Sequence, residues 1–126
     1  MANTIVWADI PVTDMDRARA FYAAVLEDEI PLMDGANGDV GLLPMERGTV
    51  SGDLVRSENQ KPGLTGCTIY LDSKGDPEGM IERAVAAGGA LLVPVTDMGD
   101  MVASPGSARR ASSARLRPLG SGRIGA

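Results

Sequence analysis

A chain of 126 residues, 44% of them hydrophobic and with a formal net charge of −5, suits one packed domain and is too apolar for wholesale disorder. It has no histidine, which excludes histidine triads, histidine general bases and histidine-ligated metal sites. Its single cysteine, Cys67, cannot form an internal disulfide. No run of about 18 apolar residues and no basic, apolar leader is present, so a cytoplasmic protein without a membrane span is expected.

The charge is unevenly divided. Residues 1–100 hold all seventeen acids and seven of the twelve bases, a net of −10; residues 101–126 hold five arginines and no acid, a net of +5. Taken in order, residues 5–12 are apolar and β-branched and predict a strand. Asp14 stands where a helix N-cap belongs, and Ala18, Phe21, Tyr22, Val25 and Leu26 then follow helical spacing, with Asp16, Arg17 and Arg19 on the opposite face. Further strands are predicted over 29–33, 40–44 and 50–55. Turn signals lie at Asp34-Gly35 and Gly38-Asp39, and Arg47-Gly48 suits a hairpin turn.

Residues 58–66 are polar, contain Lys61-Pro62-Gly63 and read as a linker. The opening pattern then recurs. A strand is predicted over 67–71, a helix capped by Asp76 with Pro77 in its first turn, an apolar stripe of Met80, Ile81, Ala84 and Val85, a stop at Gly88-Gly89, and a strand over 90–95. The two caps are 62 residues apart, about half the chain, which marks an internal duplication of a strand–helix–strand–strand–strand unit. A literal Pro-Val-Thr-Asp-Met repeat at 11–15 and 94–98 is coincidental on this reading, because no helical stripe follows the second copy. The duplication calls for two more strands after residue 100, where the pattern does not supply them.

The segment 5–26, IVWADIPVTDMDRARAFYAAVL, resembles the first strand and helix of the vicinal oxygen chelate superfamily, which includes glyoxalase I, bleomycin-resistance proteins and extradiol dioxygenases. Residues 69–73 and 82–97 resemble the start of that superfamily's second module. The resemblance covers about residues 4–100. It implies a single α+β domain, 1–126, of two βαβββ modules (1–57 and 67–100 with the basic tail, joined by linker 58–66) whose mixed sheet curls around a cleft, with the last two strands in doubt. It also implies a homodimer that binds a small organic molecule. In metal-using members the strand-one ligand falls on Trp7, its second-module counterpart near Thr68, and an acid comes from the last strand. Here the tail has no acid and the chain no histidine, so no metal and no other cofactor is expected. Members close with strands containing Gly-Arg-Ile-Ala and Val-Ile-Gly, and residues 101–105 and 111–114 permit those words in a shifted reading frame. The tail is thus either an out-of-frame translation, leaving an inactive form, or a natural basic extension.

Strand alternation sorts the candidates. Trp7 and Asp9 are expected on the cleft face of the first strand, with Ile10 and Val12 toward the helix. Trp7 either stacks on a flat ligand or fills space; Asp9 either meets a cationic ligand or is simply solvated. Asp53 offers a second carboxylate. Thr68 and Tyr70, on the face of Asp72, offer hydroxyls or are ordinary strand residues. Cys67 is expected on the core side as a buried thiol, since no histidine activates it. Most of the seven methionines suit core filling. The glycine-rich stretches match no phosphate-binding spacing, and the tail arginines lack interleaved aromatics, so no nucleic acid partner is expected. The expected function is metal-independent small-molecule binding; the alternative is a metal-dependent lyase, isomerase or dioxygenase.

Overall fold

Two aspartates start the two helices in the same way. Asp14 caps α1 (Met15–Leu26), its carboxylate accepting from the Arg17 N–H at 3.1 Å, and Asp76 caps α2 (Pro77–Ala86), accepting from the Gly79 N–H at 3.0 Å. The computed structural model describes residues 4–35, 38–63, 67–99, 111–117 and 124–125.

Module one adds β1 (Trp7–Pro11), β2 (Leu32–Gly35), β3 (Gly38–Leu42) and β4 (Ser51–Val55); module two adds β5 (Ile69–Tyr70), β6 (Ala90–Gly99), β7 (Ala111–Arg117) and β8 (Ile124–Gly125). Each module forms an unclosed four-stranded mixed sheet, in the orders β1-β4-β3-β2 and β5-β8-β7-β6. In both, the first strand runs parallel to the fourth and the remaining neighbours are antiparallel. The duplication read from the caps is therefore a duplication of topology.

The helices also end alike. In α2 the Gly89 N–H reaches Ala84 O (2.8 Å) and the Gly88 N–H reaches Val85 O (3.1 Å), with Gly88 at φ 102. That is a Schellman close with glycine in the left-handed position. In α1 the Asp28 N–H reaches Ala23 O (3.3 Å), and the left-handed position is taken by Glu27, at φ 54 and ψ 38.

The apolar stripes meet in one core. Ile10 of β1, Val12 just after it, Phe21, Tyr22 and Val25 of α1, Leu54 of β4, and Met80 and Ala84 of α2 are all buried. Phe21 and Tyr22 stack edge to face, with centroids 5.1 Å apart. Arg83 ties α2 to the end of α1: its Nε and Nη2 each donate to Val25 O at 3.2 Å, and its Nη1 lies 3.2 Å from Glu27 Oε1.

Several expected boundaries move. The strand expected over 29–33 starts at Leu32, because Ile30 is drawn into the core and its carbonyl accepts from Arg19 Nε at 2.7 Å. The Asp34-Gly35 and Gly38-Asp39 signals become the closing pairs of the β2–β3 hairpin. The turn expected at Arg47-Gly48 is closed by the Thr49 N–H on Glu46 O at 3.1 Å. The strand expected over 67–71 shrinks to two residues, since β8 offers only two pairing partners, Ile124 and Gly125. Cys67 then precedes the strand and is exposed rather than buried. The second Pro-Val-Thr-Asp-Met copy lies inside β6, whereas the first joins β1 to α1.

The tail, where the resemblance left the last two strands in doubt, supplies β7 and β8 despite its weak pattern, because ladder pairing is made by backbone groups and a ten-residue β6 presents an edge for them. The pairing is irregular, with three register shifts along β6 and β7. Of the shifted-frame matches, 101–105 lies outside the described residues.

Candidate functional site

The parallel pairing of β1 with β4 sets Trp7 against Ser51, Asp9 against Asp53 and Pro11 against Val55. On the other side of β4, Leu42 pairs with Asp53 and Val40 with Val55. Paired residues share a sheet face and successive residues alternate. One face therefore carries Trp7, Asp9, Asp53, Leu42 and Val55. The other carries Ile10, Gly52 and Leu54, which are buried toward α1. Trp7 remains 39% exposed and Asp9 is exposed, as alternation along the first strand predicts.

Gly52 allows this arrangement. A Cβ at that position would collide with the carbonyl oxygen of Ala8, so only glycine lets the two strands approach here. The neighbouring Asp53 is thereby held beside Asp9.

Asp53 carries the strongest electrostatic signature of the face. Burial first, then hydrogen bonding to Asp9 and the negative charge of Asp9, raise its carboxyl from the ordinary 3.8 to about 6, and a hydrogen bond with Trp7 pulls the other way. Its Oδ1 is buried with no hydrogen-bond partner among the described residues. The group is thus a tryptophan ring, an exposed carboxylate and a half-buried carboxyl that takes up a proton near neutral pH. It can stack a flat ring, attract a cation and accept hydrogen bonds.

Thr68 and Tyr70 are not joined to this group by any hydrogen bond or ion pair among the described residues. Thr68 is half-buried just before β5, and Tyr70 is exposed on β5, in the second sheet. Asp72 is not a strand residue; its Oδ1 accepts the Lys74 N–H at 2.8 Å in a local turn. A feature that sequence reasoning missed lies past the C-terminal ends of β1 and β4. It is a cleft of about 420 Å³ whose walls include Thr13, Arg56 and Lys61. It depends on the strands being parallel neighbours, which no local pattern announces.

Solved structures match this architecture. A glyoxalase/bleomycin resistance protein from Albidiferax ferrireducens superposes with a TM-score of 0.64 at 14% identity, over 98% of this chain and 97% of that one. A glyoxalase I variant from Zea mays gives 0.63 at 14% identity, over 95% of this chain and 44% of that one. An antibiotic-binding protein from a Streptomyces species gives 0.55 at 21% identity, over 99% of this chain and 95% of that one. No protein-family model matches the chain, and no curated protein matches it in sequence. The chain has the fold of glyoxalase/bleomycin-resistance/dioxygenase proteins, as segment 5–26 led one to expect.

The resemblance of segment 5–26 raises the question of a divalent ion, and the residues here do not fit one. The strand-one position is Trp7, which has no lone pair to give a metal. Asp9 and Asp53 are only two carboxylates, and among the described residues no three of His, Cys, Asp or Glu converge. Among the described residues, no helix is long and apolar enough to cross a membrane.

Proposed function

We propose that the chain is a metal-independent binder of a small organic molecule, acting as a homodimer, with the Trp7–Asp9–Asp53 face as the ligand contact. The observation that carries this reading is the grouping itself: the only tryptophan of the chain and two carboxylates at paired positions on an open sheet face. A flat molecule bearing a protonated amine is the ligand class that this chemistry favours. The antibiotic-binding function of the Streptomyces structure is compatible with it.

Thr68 and Tyr70 belong to the proposed contact only if the ligand reaches the second sheet. A metal-dependent lyase, isomerase or dioxygenase is disfavoured by the donor set. The irregular β6–β7 register keeps a second reading in play, that of an inactive form whose tail is out of frame.

Trp7 supplies the test, since all tryptophan fluorescence of the chain arises from it. Titration with planar amine-bearing compounds is expected to shift or quench that emission saturably and to raise Tm, and Asp9→Asn is expected to weaken binding. Micromolar Ni²⁺, Zn²⁺, Mn²⁺ or Fe²⁺ is expected to leave Tm unchanged. A clear rise in Tm with one of those ions would overturn the metal-independent reading.

A further inference from the structure

We infer that the cleft beyond the C-terminal ends of β1 and β4 is a second binding site, for a small oxyanion such as a carboxylate or a phosphate. At about 420 Å³ it has room for a ligand of several heavy atoms. Neither Trp7 nor either aspartate of the sheet face lines it, so it is separate from the contact proposed above.

Its lining includes Val12, which is buried and whose N–H already bonds Val55 O at 2.9 Å, so that N–H makes no polar demand on a ligand. The other lining residues supply an excess of donors. Arg56 spends Nε and Nη2 on Asp39 Oδ2, at 3.2 and 2.7 Å, which fixes the guanidinium in place. Its Nη1 makes no hydrogen bond among the described residues. Lys61 makes no ion pair among the described residues. The Thr13 hydroxyl stands in the same wall, and the Ser57 Oγ accepts the Asn59 N–H at 3.2 Å, keeping its own proton to donate. Against two cations and two hydroxyls the lining has one acid, Glu58. A pre-positioned guanidinium, an unengaged ammonium and hydroxyl donors beside an apolar side chain match the oxygens of a small anion.

The test is a titration of the whole protein with sodium phosphate and, separately, sodium acetate, at ionic strength held constant with sodium chloride and followed by amide ¹H–¹⁵N spectra. Saturable shifts are expected at Thr13, Arg56, Ser57, Asn59 and Lys61. Lys61→Gln is expected to weaken binding by about fivefold, the scale of an exposed charge contact. Glu58→Gln is expected to tighten it, and Lys74→Gln, in a turn away from the cleft, to leave it unchanged. The dispersion of each spectrum reports whether the variant is folded. Saturation by phosphate alone assigns a phosphate site and by acetate alone a carboxylate site; either supports the inference. Shifts that never saturate, or an affinity indifferent to Lys61→Gln, would overturn it, whatever the outcome at the Trp7 face.

Discussion

In the unfolded chain Asp53 titrates near its ordinary 3.8; in the folded sheet burial and Asp9 raise it to about 6. Between those values the native state holds more protons than the unfolded state, so stability falls as pH rises from about 4 through about 6 and levels off above about 7. One pKa unit corresponds to about 1.4 kcal/mol, but the carboxyl is partly exposed, so after solvent screening the loss is on the order of 1 kcal/mol. Asp53→Asn keeps an acceptor for Trp7, gains a donor toward Asp9 and removes the charge. It is expected to be more stable than the wild type at neutral pH by about 1 kcal/mol, and to have a flatter pH profile. Urea unfolding at about pH 4.5 and about pH 7.5 checks this, and a neutral-pH loss in Asp53→Asn would contradict it. Trp7 and Asp9 were readable as face residues because alternation is local. Their grouping with Asp53 was not, because the strand register that makes it spans most of module one.

The paired helices permit a comparison within one molecule. Both are closed by an N–H bonding the carbonyl five residues back, yet one puts glycine and the other Glu27 in the left-handed conformation. For a residue with a Cβ that conformation costs roughly 1–2 kcal/mol. Glu27→Gly relieves it, while losing a mostly exposed ion pair with Arg83, worth at most about 1 kcal/mol, and loosening the unfolded chain. A net gain of about 0.5 kcal/mol in chemical denaturation is expected; a loss of that size would mean that the ion pair outweighs the strain. The helices were legible to within a residue, because cap, stripe and stop agree. Strand limits were less so. Ile30 satisfies the core better than a ladder position would, and β5 is limited by its short partner.

At the scale of the molecule, the described polar link between the modules' helices centres on Arg83, which donates twice to Val25 O in the last turn of α1. Lysine offers a point charge in place of a planar fork. Arg83→Lys is therefore expected to cost about 1–2 kcal/mol and to separate the unfolding of the two halves, visible as a broadened calorimetric transition. A sharp transition at an unchanged midpoint would show that apolar packing alone couples them. The charge division at residue 100 was legible as a change of character. It did not forecast strands, since ladders are made by the backbone that all sequences share.

The parallel pairing of β1 with β4 also has a consequence in time. Trp7 meets Ser51 about forty residues further on, whereas the β2–β3 and β3–β4 pairs are made between near neighbours. During synthesis the first strand must wait, unpaired, until the fourth has left the ribosome, and its capture closes the longest loop of the module. The face that carries Trp7, Asp9 and Asp53 is therefore assembled last, and its tryptophan reports on the final step of that module's folding.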